Sequence, residues 1–247
     1  MRNFSLSPRP RLRTAADYPG LNTRVDTGEP RFVRNWLSAD LGQAADWTAI
    51  VAGQTYAATE RTYQRGAFEA SETLAVERTI NSYRIVNAHR PRLGTSYPVI
   101  AAQIKVFLED MEDADLLVDA TGVGRGVVDI IRSRGMKPIA ITITGGENVH
   151  DHSAWEVSVP KTELVSALIA TSQEGRLRIA PELPLRDVMT KEIAAFSPRH
   201  TASGRVSYEG REGENDDLVL SLAMGIWHQE RPRPQPARAC RIDLFGR

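Results

Sequence analysis

Cysteine is almost absent: Cys240 is the only one in 247 residues. A single thiol closes no internal disulfide and excludes every cysteine-based zinc cluster. No apolar run approaches the roughly 18–20 residues that span a bilayer. Residues 1–5 (MRNFS) lead into no apolar signal-peptide core. These absences predict a cytoplasmic protein with no membrane partner. A G-x-x-x-x-G-K-[ST] phosphate loop is also missing, which removes the P-loop nucleotide-binding proteins. Lysine is scarce, with four (Lys105, Lys137, Lys161, Lys191) among 31 basic residues. Net charge is missing as well, because 31 acids balance the 31 bases.

What remains is globular composition, 41% hydrophobic and 25% charged, enough for one large domain or two small ones. The zero net charge is a cancellation. Residues 1–34 carry +4 and residues 230–247 carry +3, leaving −7 on residues 35–229. Pro8, Pro10, Pro19 and Pro30 interrupt the first segment, and Pro232, Pro234 and Pro236 the last. The sequence therefore predicts a flexible Arg/Pro-rich arm over 1–34, a folded domain over 35–229 and a flexible Arg/Pro-rich tail over 230–247.

Between the arms, apolar strand patterns fall at 36–41 (WLSADL), 47–56 (WTAIVAGQTY), 83–88 (YRIVNA), 116–118 (LLV) and 138–144 (PIAITIT). Helical spacing relates Tyr97, Ile100, Ile104 and Met111, and again Val127, Ile130 and Ile131. Pro160 opens another helix at its first turn, with Leu164, Val165, Leu168 and Ile169 on its apolar face. A further helix is marked by Leu185, Val188, Ile193 and Phe196. The last, 216–228, is apolar nearly all round and so predicted to be buried. Strands first, then strands alternating with helices, predict an α/β domain: a mixed sheet with helices on both faces. The polar insertions 145–158 and 198–213 suit β-hairpins.

Three acidic positions stand out. Asp40 ends an apolar strand and is followed within two residues by Gly42. Asp119 does the same before A-T-G-V-G, where glycines let a ligand approach the backbone. Asp216 and Asp217 open the final, apolar helix. Each has a structural explanation: turn acids satisfy backbone N–H groups, and acids favour helix N-termini. Gly122, Gly124 and Gly126 give G-x-G-x-G rather than the dinucleotide G-x-G-x-x-G, and the following strand lacks the ribose-binding acid. The five histidines are scattered, with His150-Asp151-His152 at most a weak metal site in a loop. If the three acidic positions converge, two carboxylates about 4 Å apart repel by about 4 kcal/mol at an effective dielectric near 20. Such a cluster calls for protons or divalent cations, and oxygen-only donors select Mg²⁺ or Mn²⁺.

The order of these motifs resembles the nuclease domain of tailed-phage terminase large subunits. The matching stretches are SADLGQAADWTAIVAG (38–53), LLVDATGVGRGVVDIIRSRG (116–135), VPKTELVSALIATSQEGRLRIAP (159–181) and SGRVSYEGREGENDDLVLSLAMGIW (203–227). They cover most of residues 36–228, and DATGVG with the late NDD is the most specific pair. The resemblance implies a ribonuclease H-like fold in which Asp40, Asp119 and Asp216 bind two Mg²⁺ or Mn²⁺ ions, with Asp217 assisting or replacing Asp216. It places Lys161 of the V-P-K motif near DNA. Arg125, beside the Gly124 turn, is a second candidate for holding phosphates, against the alternative that both are solvated surface charge. Asn215 stands where family members often have histidine.

The function implied is a metal-dependent endonuclease that cuts concatemeric double-stranded DNA by two-metal phosphodiester hydrolysis during phage or prophage packaging. The implied partners are the terminase ATPase motor, the small terminase subunit and the portal, in the host cytoplasm. The matched region does not include the family's ATPase motor. The expectation is an isolated nuclease domain, a split-gene product or a stand-alone nuclease. Rival readings are a Holliday-junction resolvase-like nuclease, an actin-like or sugar-kinase-like ATPase, and a catalytically silent DNA-binding module.

Overall fold

The computed structural model describes residues 23–42, 46–65, 72–195, 197–200, 206–209 and 216–231. Its strands and helices in chain order are β1 (Thr23–Thr27), β2 (Arg31–Asp40), β3 (Ala49–Arg65), β4 (Glu72–His89), α1 (Tyr97–Glu109), β5 (Ala114–Asp119), α2 (Gly124–Ser133) and β6 (Ile139–Thr144). There follow β7 (His150–Ser153), β8 (Glu156–Pro160), α3 (Lys161–Gln173), β9 (Leu177–Ile179), α4 (Arg186–Ala195), β10 (Ser197–His200), β11 (Val206–Glu209) and α5 (Asp217–Glu230).

Nine strands build one mixed sheet in the order β7-β8-β6-β5-β2-β3-β4-β9, with β1 pairing on β3 beyond the start of β2. β2, β5, β6 and β8 run parallel, whereas β3 is antiparallel to β2 and β4. The central strand β5 is apolar on both faces because helices cover both, as parallel strands require. On one face α1 and α2 pack Ile100, Ile104, Val127 and Ile131 against Leu37, Ala39, Leu116 and Val118. On the other, α3, α4 and α5 pack Leu164, Leu168, Met189 and Leu222 against Trp36, Val51, Leu117 and Ile141. This is the α/β arrangement expected from the sequence.

The near-continuous apolarity of α5 has a direct cause, since its residues from Asp217 to Trp227 are almost all buried. Trp36 is fully buried between Gly53 of β3 and Gly225 of α5. A Cβ on Gly225 stands 2.2 Å from Trp36 Cζ3, and one on Gly53 stands 2.1 Å from Cζ2. Only glycine at both positions lets the indole lie flat between helix and sheet.

Several boundaries differ from expectation. Residues 23–34, assigned to a flexible arm, contain β1 and the start of β2. Their polar, largely exposed side chains hide the strand, which forms through backbone pairing to β3. The remainder of that arm, 1–22, and residues 232–247 of the tail lie outside the described residues. At the tail's start, Glu230 closes α5 and Arg231 pairs with Asp151 at 2.7 Å. β3 and β4 also run far past their apolar centres into a two-stranded ribbon. It is laced by Arg61–Glu77 at 2.6 Å and Arg78–Glu60 at 2.8 Å, cross-strand pairs that no apolar alternation signals. Pro160 is the N-cap of α3 rather than its first helical residue. Both insertions carry hairpins, β7–β8 and β10–β11.

Candidate active site

Strand register brings the first two acids together. Ala39 pairs with Val118 in the parallel β2–β5 ladder, so the next residue on each strand is Asp40 and Asp119. Side chains alternate along a strand. Because Ala39 and Val118 face α1 and α2, Asp40 and Asp119 both face α5, at the carboxyl ends of parallel strands. The turn after Asp119 is built for close approach: Gly122 has φ +57°, and a Cβ on Gly124 stands 2.1 Å from the Asp119 carbonyl oxygen. The Thr121 N–H donates to Asp119 Oδ1 at 2.8 Å, and Thr121 Oγ1 accepts from the Ile143 N–H at 2.8 Å, fixing the turn to β6.

α5 brings the third acid. Its position against β2 is latched two residues before Asp40, where Ser221 Oγ donates to the Ser38 carbonyl at 2.9 Å and lies 3.2 Å from Ser38 Oγ. The N-terminus of α5 thereby reaches the same edge of the sheet. Asp217 is 9% exposed, close to the 8% of Asp40 and 9% of Asp119. Asp216 occupies the N-cap position but makes no capping bond. Its Oδ2 instead accepts from Lys161 Nζ at 2.7 Å, both side chains being partly exposed.

These groups repel each other in a desolvated place. Burial first, and then the charges of Asp119, Asp217 and Asp216, raise the Asp40 carboxyl well above the ordinary 3.8. Burial likewise raises Asp119, against the opposing pull of Thr121. The two carboxyls sit side by side, and their interaction raises Asp40 further while pulling Asp119 down. Without a cation, burial and mutual repulsion both work against ionising the pair together. Asp217 is pushed up to about 6, chiefly by burial and despite Arg90.

All four acids expected from the sequence therefore gather at one edge of the sheet. Lys161, the first residue of α3, joins them directly. Arg125 lies exposed in the first turn of α2, past the Asp119 turn. His150 and His152 stand on exposed β7, where Asp151 is engaged by Arg231 and His152 by Ser158. Two residues had no motif to mark them. Arg90 follows β4 and donates to Glu192 at 2.5 Å and to Asp217 at 3.4 Å. Glu192 is buried on α4, three residues after fully buried Met189. An acid on the apolar face of a helix was the available signal.

As they stand, no three His, Cys, Asp or Glu side chains among the described residues are disposed around one metal position. Lys161 and Arg90 hold the α5 acids as charge partners. The donor chemistry nonetheless fits a hard divalent cation: oxygen ligands only, little solvent, and negative charge in excess of what the surrounding cations offset. A groove of about 220 Å³ lies alongside, lined by Gly42, Asp46, Thr48, Arg92, Thr95 and Tyr97 among others, and none of the four acids lines it.

Fold and site define a ribonuclease H-like α/β domain with an acidic centre at the carboxyl edge of its sheet. No protein-family model and no curated protein matches the chain. Among solved structures, it is similar to the large terminase nuclease from thermophilic phage G20c with bound magnesium. That match has a TM-score of 0.53 at 18% identity, over 84% of this chain and 87% of that one. The G20c nuclease with bound cobalt gives 0.50 at 17%, over 89% and 99%. The Thermus phage P74-26 large terminase nuclease domain gives 0.50 at 18%, over 83% and 84%. The chain has the fold of phage large terminase nuclease domains.

Proposed function

We propose that this chain is a metal-dependent endodeoxyribonuclease of a phage or prophage packaging terminase, cutting concatemeric double-stranded DNA. The observation that carries this reading is the buried Asp40–Asp119 pair at the carboxyl edge of the sheet, with Asp217 and Asp216 near enough for their charges to raise Asp40 further. A structural site has no use for such a concentration of like charge, whereas a divalent-cation site requires it. The fold shared with the G20c nuclease, whose structure holds magnesium, supports the same reading.

Asp40, Asp119 and Asp217 are the proposed ligands for two Mg²⁺ or Mn²⁺ ions. Buried Asp217 takes precedence over Asp216, which is turned toward Lys161. When bound, the ions supply Lewis-acid activation of water and of the scissile phosphodiester. The chain's own residues do the rest. The three carboxylates fix the ions against the rigid ends of β2, β5 and α5. Lys161, displaced from Asp216, and Arg125 hold backbone phosphates on either side without reading sequence. Residues 23–231 form the nuclease unit, and the Arg-rich flanking segments add contacts to the DNA backbone. The proposed partners are the ATPase motor, the small terminase subunit and the portal, in the host cytoplasm.

The test is plasmid digestion with Mn²⁺, Mg²⁺ or EDTA, with Asp40→Asn and Asp119→Ala proteins alongside. Each variant is expected to lose about a thousandfold in rate, about 4 kcal/mol of transition-state stabilisation, while remaining folded. Full activity in either variant overturns the assignment. A marked preference for four-way junctions over linear duplex redirects it to a resolvase.

A further inference from the structure

Arg90 and Glu192 lie outside every motif of the sequence, and the proposed chemistry uses neither. β4 ends beside the start of β3, with His89 opposite Ile50, so Arg90 emerges at the same edge as Asp40. Its side chain is 13% exposed, and one nitrogen, Nη2, serves two carboxylates: Glu192 Oε1 at 2.5 Å and Asp217 Oδ2 at 3.4 Å. The guanidinium thus sits closer to Glu192 than to Asp217. Arg90 Nε and Glu192 Oε2 are buried without a hydrogen-bond partner; burial raises the Glu192 carboxyl, and Arg90, with the Val219 N–H in the first turn of α5, pulls the other way toward the ionised form. For stability alone, apolar side chains of similar volume on α4 and after β4 serve as well as a buried ion pair.

We propose that Arg90 and Glu192 are a charge-neutral positioning pair that sets Asp217 for a divalent cation. Glu192 takes up the guanidinium charge, so Arg90 orients one oxygen of Asp217 without consuming its negative charge. Asp217 thereby keeps its charge for an ion. This rests on the reading of Asp217 as a metal ligand. Loss of the Glu192 charge has two consequences of the same sign. The uncompensated guanidinium repels a divalent cation, and it draws Asp217 fully onto itself. Loss of both charges removes the repulsion and leaves Asp217 merely unheld.

The experiment measures Mn²⁺ binding to the full, EDTA-stripped chain by the electron paramagnetic resonance of free Mn²⁺. It compares wild type, Glu192→Gln, the double variant Arg90→Gln/Glu192→Gln, and Asp40→Asn as the control. Glu192→Gln is expected to raise the Mn²⁺ Kd about tenfold, and the double variant only about threefold, within the range set by outer partners of metal ligands. A pair that merely supports the fold lowers Tm in both and leaves the Kd unchanged. Wild-type affinity in folded Glu192→Gln overturns the proposal, as does a double variant no better than the single one. If Glu192→Gln does not fold, a double variant that binds Mn²⁺ like wild type overturns it. Mn²⁺ binding that Asp40→Asn weakens, together with absence of plasmid cleavage, defeats the nuclease reading and leaves the pair standing. A wild type that binds no Mn²⁺ defeats both.

Discussion

The two ends of α5 use the same residue types to opposite effect. At its C-terminus, charges are matched. Arg176 makes two bonds to Glu230 at 2.7 and 3.1 Å, the Tyr83 hydroxyl donates to the same carboxylate, and Arg176 Nε reaches Glu174 at 2.6 Å. Nearby, Asp115 accepts from Arg34 at 2.7 Å and Gln229 at 2.9 Å. Burial and the Glu230 acceptor raise the Tyr83 hydroxyl, so it keeps its proton there. At the N-terminus, about 20 Å away at 1.5 Å per residue, three buried carboxylates lie at one edge of the sheet with Arg90 shared and Lys161 outside. One end closes the fold, and the other holds negative charge that the fold does not neutralise. Charge left in excess in a desolvated place is the mark of a site that works with something added.

The contrast can be broken most strongly at the acidic end. Asp217 is pushed up to about 6 from an ordinary 3.8, so forcing it to ionise in the folded state works against stability. Its raised folded value, like those of Asp40 and Asp119, means the native state holds protons that the unfolded state has released. In EDTA, the stability these three groups contribute is therefore fully present below about pH 4 and is lost as pH rises through 6 and beyond. Mn²⁺ is expected to flatten that decline, and Asp40→Asn to flatten it without metal and raise Tm at neutral pH. Thermal melts across pH with EDTA or Mn²⁺ check this, and a metal-free protein that gains stability between pH 4 and 7 contradicts it.

The matched end responds the other way. Arg176→Ala leaves Glu230 and Glu174 without their shared cation and is expected to cost about 2 kcal/mol, a buried-pair value reduced for partial exposure. Denaturant melts read the loss, and Mn²⁺ affinity is expected to stay at wild type. The smallest effect is at the surface. Arg125→Gln should weaken duplex DNA binding to a similar degree for every sequence and lower the salt-dependence slope by about 1. Binding titrations at several salt concentrations decide it, and a sequence-dependent change contradicts a pure phosphate contact.

The legible parts of this protein were those where burial writes a period. β5 and β6 read as apolar runs because helices cover both faces, and α1, α2 and α3 read from their inward stripes. The polar ribbon of β3 and β4 and the whole of β1 were illegible. Their strands are held by backbone pairing and cross-strand charge, which leave no apolar alternation. At the site, Asp40 and Asp119 could be named because strand-acid-glycine is a local pattern. Arg90 could not, and Glu192 offered only an acid on an apolar helix face, because no local pattern marks a cation and an acid that meet across 102 residues.

The sequence by itself determined the α/β class, the acids that end β2 and β5, and the apolar character of α5. Local side-chain chemistry and periodicity specify those. Only the tertiary structure decided that the β2–β5 register puts Asp40 beside Asp119 on the α5 face. It also decided that the Ser38–Ser221 latch carries Asp217 to them, and that Asp216 turns to Lys161 while Asp217 turns to Arg90. The reason is physical: a carboxylate's proton affinity depends on solvent access and on neighbouring charge. Both are set by residues far apart in the chain.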